Sequence, residues 1–237
     1  MVEEITAHAT AKLQYWIITM EAMQVVTFFI FTYFLWLARV KILPEAHEAL
    51  VAIADTLYDK SKFYAGHCRR VSVICSAICD SMGIRGEERR NIITAGMLHD
   101  LGKIYIDEDI LHKPEKLTDA EWEIVKMHTV KGASVLRKFG VNPDITSAVL
   151  YHHENWDGTG YPLQIDGENI PLAARIIRVA DSIDAMAMGR PYKKGMLFDE
   201  INQDLKDHSG TWYDESIIKY TTNGLAKRIK LIILNHK

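Results

Sequence analysis

Histidines and aspartates recur along this chain in a pattern suited to holding cations: His67, the pair His99-Asp100, His128, the pair His152-His153, and Asp181. Imidazole nitrogens combined with carboxylate oxygens suit iron, manganese, nickel or zinc. One histidine on an apolar helical face is ordinarily a satisfied core or surface group. The set carries more weight. His99-Asp100 follows Ala95, Gly96, Met97 and Leu98, His152-His153 ends a segment containing Ala148, Val149 and Leu150, and Asp181 sits in RIIRVADSIDAM on one face with Ile177, Asp184 and Met188. Burying so many ionisable groups is costly unless they are paired or bound to cations. Two cations held together would lower the pKa of a shared water to about 7 and clamp phosphoryl oxygens, which is what phosphodiester hydrolysis needs. A lysine or arginine beside them would stabilise the developing charge. Asp184, one turn beyond Asp181, is placed to orient such a centre from outside.

Positioning these residues is work for helices. Pro44 separates an apolar N-terminal segment, residues 1–43, from a domain over 44–237. Ala46, Leu50, Ile53 and Leu57 fall at helical spacing. Phe63, His67, Ile74 and Ile78 share a face of a second helix that stops at Gly83, and Glu87 to Leu101 reads as a third. Thr118 and Glu121 form a capping box opening a helix to about Phe139. Asn142-Pro143 starts one that runs to His152, and Pro171 opens one through about Met188. Period-two alternation is almost absent, so the fold class is all-α.

Residues 22–38 form an uncharged apolar run, and with 13–20 added it is long enough to cross a bilayer. Arg39 and Lys41 after it would face the cytoplasm. The segment is either a membrane anchor at the inner face of the cytoplasmic membrane or a helix buried in a homodimer or against the domain. A formal net charge of −3 provides no general field for DNA or RNA. Cys68, Cys75 and Cys79 are odd in number and clustered, as reduced thiols are.

HDLGK at His99-Asp100 resembles the signature of the HD phosphohydrolase superfamily, and HHENWDGTGYP, residues 152–162, resembles that of its HD-GYP branch. HCRRV, MHTVKG, VADSIDAM and RPYKKG follow in the order and spacing of that family, from about Leu50 to Tyr220. The resemblance implies an HD-type helical bundle that hydrolyses cyclic di-GMP to pGpG, with GMP as the alternative end product, at two divalent ions, iron or manganese. His67, His99, Asp100, His128, His152, His153 and Asp181 would be the ligands, with Asp100 bridging. Phe63 stands where some members carry a glutamate for a third metal, which favours two ions. Lys103 would contact the scissile phosphate, Arg190 and Lys193 the ligand's phosphates, and Gly160 and Tyr161 belong to a loop that touches substrate or a GGDEF-domain partner. Other roles stay open for these positions: Lys103 as a cation at a helix end, Arg190-Pro191-Tyr192 as a structural turn, Lys193-Lys194 as a solvated pair. A weakly catalytic cyclic di-GMP sensor, or a hydrolase of another nucleotide, carries the same motifs. His8, His47, His112, His208 and His236 match no motif and read as surface residues.

Overall fold

The computed structural model describes residues 2–37, 66–188 and 195–223, with backbone alone for 2–11 and 35–37. The all-α expectation holds: the described residues form helices and no β-strand. The Pro44 boundary and the helix expected over Ala46 to Leu57 lie outside the described residues. The chain divides into two compact units after His47.

The first unit is helix α1, Val2–Leu37. Within it Lys12–Phe34 is long and apolar enough to cross a membrane, and none of that stretch is buried. The hydroxyls of Thr19, Thr27 and Thr32 each donate to a carbonyl one turn back, Tyr15, Met23 and Phe28. Their polar groups are therefore satisfied without water.

Among the described residues the second unit opens with α2, His67–Met82, which stops at Gly83 in the left-handed conformation (φ 76°). Its inner face, Val71, Ile74, Cys75 and Ile78, is fully buried. It packs on α3, Gly86–Leu98, and on α8, Leu172–Met188. Between them come α4, Glu108–Leu111, α5, Asp119–Lys126, α6, His128–Lys138, and α7, Pro143–Tyr151. Helices α9, Phe198–Asp207, and α10, Glu215–Asn223, follow α8 and were not foreseen in the sequence. One apolar cluster joins Ile74, Leu98, Leu136, Val149, Ile177 and Ile183. At about 1.5–3 kcal/mol for each large aliphatic side chain removed from water, this cluster fixes the helices against one another. Cys68, Cys75 and Cys79 are buried, and none of them forms a disulfide among the described residues.

Two departures from the expected helices shape the site. The third helix ends at Leu98, not Leu101, and the chain turns through Asp100 (φ −94°, ψ 0°) into a 3₁₀ segment, Leu101–Tyr105. The helix expected from Thr118 to Phe139 is two helices, because Met127 closes the first with a tight bond from its N–H to the Ile124 carbonyl at 3.2 Å. The Thr118 capping box is present. The turn after Asp100 lies directly against α6: a Cβ on Gly102 would overlap the carbonyl of His128 and crowd the backbone of Gly132. Two glycines back to back thus bring the Asp100 turn against the start of α6.

That contact is backbone against backbone, which a rotamer change cannot relieve. Gly102→Ala is expected to lower stability by about 1–3 kcal/mol or more, read from chemical denaturation. An unchanged midpoint would show that the two segments are not locked together here.

Candidate metal centre

Three of the histidines are oriented by one device. His99, His128 and His152 each lie just past the last turn of a helix, α3, α5 and α7, where carbonyls lack intrahelical partners. Each Nδ1 meets the carbonyl three residues back: Gly96 at 2.8 Å, Val125 at 2.7 Å and Val149 at 2.8 Å. A carbonyl only accepts, so Nδ1 carries the hydrogen and a neutral ring presents a lone pair at Nε2. Those Nε2 atoms converge. His128 Nε2 lies 3.3 Å from His152 Nε2, and 3.4 Å from Asp100 Oδ1. His99 Nε2 and His67 Nε2 lie 3.4 and 3.6 Å from Asp100 Oδ2. Asp181 Oδ1 adds a second carboxylate, 3.3 Å from His67 Nε2 and 3.9 Å from His99 Nε2.

Ligand atoms from His67, His99 and Asp100 lie within 4.8 Å of one another, as do those of Asp100, His128, His152 and His153. Asp100 belongs to both groups, one oxygen toward each. Neighbouring ligand atoms about 2 Å from one ion stand roughly 3–3.5 Å apart, and two imidazole lone pairs facing at 3.3 Å have no proton to share. The donor set fits divalent cations on both sides of Asp100.

The electrostatics agree. Burial holds the imidazoles of His99, His152 and His153 below their usual range, the latter two far below, and takes His128 to about 4. All four imidazoles are neutral near pH 7. Burial also opposes ionisation of Asp100 and Asp181, but the charges around them win. Lys103 acts on Asp100 and His67 acts on Asp181, so both carboxyls fall well below the carboxylate range. His67 is the exception. Its Nδ1 lies 2.7 Å from Asp184 Oδ2, and Asp181 and Asp184 outweigh burial to raise it to about 9.

Around this centre, Asp184 is clamped by Arg70, whose Nε and Nη2 donate to its two oxygens at 2.6 and 3.1 Å. Lys103 Nζ donates to Asp100 Oδ2 at 2.6 Å. Tyr161 stacks on His153 at 4.8 Å between ring centres and stands 6.1 Å from the ring of Trp122. Its N–H donates to the His153 carbonyl, and a Cβ on Gly160 would overlap the backbone of Asn155. The loop is further tied by buried Glu154, whose Oε1 accepts from Leu163 N at 2.7 Å and Gln164 N at 3.0 Å. Arg70, Trp122 and Glu154 had no role in the sequence analysis. Arg70 and Glu154 stand inside the quoted motifs, and their signal was a charge on a stretch otherwise headed for burial. Arg190, Lys193 and Phe63 lie outside the described residues. His208, taken for a surface residue, is half-buried and stacks on Trp212 at 3.9 Å.

A family model described as an HD domain matches residues 52–217. The chain is 32% identical over 177 residues to 3′3′-cGAMP-specific phosphodiesterase 2 of Vibrio cholerae, covering 73% of this chain and 33% of that protein. It is 37% identical over 156 residues to a cyclic di-GMP phosphodiesterase of Thermotoga maritima, covering 65% of this chain and 42% of that one. The chain thus spans between a third and half of these relatives. Its fold is similar to the crystal structure of a cyclic GMP-AMP specific phosphodiesterase from V. cholerae, with a TM-score of 0.57 at 18% identity over 80% of this chain and 53% of that one. This chain belongs to the HD-domain family. Within the family its double-histidine and Gly160-Tyr161-Pro162 signature puts it in the HD-GYP branch.

A folded-state pKa of about 9 for His67, above the ordinary 6.5, means that its ring is protonated at neutral pH. A cation can use only the deprotonated Nε2, so loading metal near pH 7 is expected to release about one proton per chain from this residue. The release shrinks to zero as pH rises past the folded pKa. Calorimetric titration in buffers of different ionisation enthalpy measures it, and no buffer dependence would rule His67 out as a ligand.

Proposed function

We propose that this chain hydrolyses cyclic di-GMP to pGpG, with GMP as the alternative end product, at two divalent ions, iron or manganese. One ion would be held by His67, His99, Asp100 and Asp181, the other by Asp100, His128, His152 and His153. The observation that carries this is the convergence of unprotonated Nε2 atoms on the two oxygens of one shared aspartate. When bound, the ions supply a nucleophile near neutral pH and positive charge for the phosphoryl oxygens.

The chain's own residues do the rest. Asp184, fixed by Arg70, holds the His67 ring in place. Lys103, already drawn to Asp100, sets a positive charge beside the shared carboxylate, where a scissile phosphate would arrive. Tyr161 backs His153 and, with Trp122, walls that side with aromatic surface suited to a nucleobase. Arg190 and Lys193 are proposed phosphate contacts on sequence grounds. Phe63, in place of the extra glutamate, favours two ions over three. Relatives named for cyclic di-GMP and for 3′3′-cGAMP both support a cyclic dinucleotide as substrate class.

Manganese-loaded protein is expected to open cyclic di-GMP, with 3′3′-cGAMP as the competing substrate in the same panel. The double variant His99→Ala, Asp100→Ala should bring turnover below detection. A wild type inert on every cyclic dinucleotide with each metal tried would end this proposal.

We further propose that α1 anchors the protein in the cytoplasmic membrane with the second unit on the inner side. An apolar helix whose threonine hydroxyls are satisfied internally is suited to lipid. The full chain should stay with membranes through alkaline carbonate washing and leave only with detergent. Release by carbonate would refute the anchor.

A further inference from the structure

Arg178 lies on α8 one turn before Asp181, so their side chains are neighbours on the helix surface. It is half-buried, and neutral groups hold its guanidinium. Nε and Nη2 both donate to Asn155 Oδ1, at 3.1 and 3.0 Å, and Nη1 donates to Ser182 Oγ at 3.2 Å. The ring of Tyr213 lies 5.6 Å from its central carbon. Arg178 thus spans from the helical turn carrying Asp181 to the loop that starts at His153.

What sets it apart is its missing counter-charge. Among the described residues, every other buried or half-buried arginine or lysine has a carboxylate within ion-pair distance. Arg70 has Asp184, Arg89 has Asp80, Lys103 has Asp100, Lys113 has Glu121, Lys126 has Glu123 and Arg175 has Asp214. Keeping a charge from bulk water without an opposite charge is unfavourable, so this position favours an anion that arrives from outside. Donor arithmetic leaves room for one. A guanidinium has five N–H groups, three are used, and one remains on each terminal nitrogen. Those two match a fork that grips a pair of phosphate oxygens.

We propose that Arg178 binds the non-bridging oxygens of the phosphate that is not being cleaved in a cyclic dinucleotide; this rests on the function proposed above. A cyclic dinucleotide brings two phosphodiester charges. The scissile one would be met by the ions and Lys103, while the other calls for a cation not already committed to a carboxylate, alongside Arg190 and Lys193, which are proposed on sequence grounds. Arg178 is such a cation, next to the centre. The planar fork also explains arginine over lysine at this site, since lysine offers a point charge without bidentate geometry.

The test compares full-length, manganese-loaded variants on cyclic di-GMP and on bis(p-nitrophenyl) phosphate, which has one phosphodiester. Arg178→Ala is expected to raise KM for cyclic di-GMP, and its Kd by calorimetry, by about tenfold or more. The loss on the dinucleotide should exceed that on the single diester by a similar factor. Arg178→Lys should recover part of the affinity. Asn155→Ala removes the loop contact and leaves the guanidinium, so it should cost much less than Arg178→Ala. If Asn155→Ala reproduces the whole effect, or Arg178→Ala weakens both substrates equally, Arg178 only positions the loop and the proposal fails. If KM and Kd do not move in an active enzyme, it fails alone. A wild type that binds no cyclic dinucleotide overturns the proposed function and this assignment with it.

Discussion

The centre depends on one small hydrogen bond made three times. A histidine just beyond a helix donates Nδ1–H to the carbonyl three residues back, which the last turn of the helix leaves within reach. The bond fixes the tautomer, aims the opposite nitrogen, and satisfies a buried carbonyl at the same time. Ligand orientation therefore follows from where α3, α5 and α7 end. Moving any of these helix ends by a residue would rotate an imidazole out of the cluster. The apolar cluster of Ile74, Leu98, Leu136, Val149, Ile177 and Ile183 matters to function for this reason: it holds the ends in place.

His67 is built on different terms. It opens α2, so no helix end stands behind it, and its Nδ1 faces a carboxylate in place of a carbonyl. Asp184 in turn is fixed by Arg70, from the same helix as His67. A carboxylate partner makes the ring more basic than a carbonyl would, which is why His67 is raised to about 9 while burial depresses the other imidazoles. Protons would therefore compete with a cation at His67, whereas the carbonyl-anchored rings stand ready as neutral donors. The two oxygens of Asp100 join these two halves.

Much of this was legible in the sequence because ligands came as doublets at the ends of apolar periodic runs. His99-Asp100 and His152-His153 announce a helix that stops while still buried, and the VADSIDAM face announces an inward carboxylate. The all-α architecture and the capping box at Thr118 followed from periodicity and side-chain chemistry. Long-range partners were not legible. Arg70 and Asp184 are 114 positions apart, and only packing of α2 on α8 shows that their charges cancel. Arg178 was hidden for the same reason, since a missing counter-charge is a statement about three-dimensional neighbours. Helices α9 and α10 lie beyond the last motif, and the one-turn spacing of buried Ile201 and Leu205 is a weak signal for α9 without one.

The places where local sequence rules failed are the places where the site is made. Periodicity carried one helix through Met127 and another to Leu101; both are cut short in the structure, and each cut leaves a histidine ring against a carbonyl of the last turn. An uninterrupted helix through His128 would keep the Val125 carbonyl for the amide four residues on and turn the ring with the helix. Propensity favours the longer helices, so the interruption has to be supported by tertiary contact. Gly102 against the backbone of His128 and Gly132 supplies that support, since no residue with a Cβ allows the Asp100 turn so close to the start of α6. Two weak helix formers and a broken helix cost local stability, and in return Asp100 reaches His128 with one oxygen while the other faces His67 and His99.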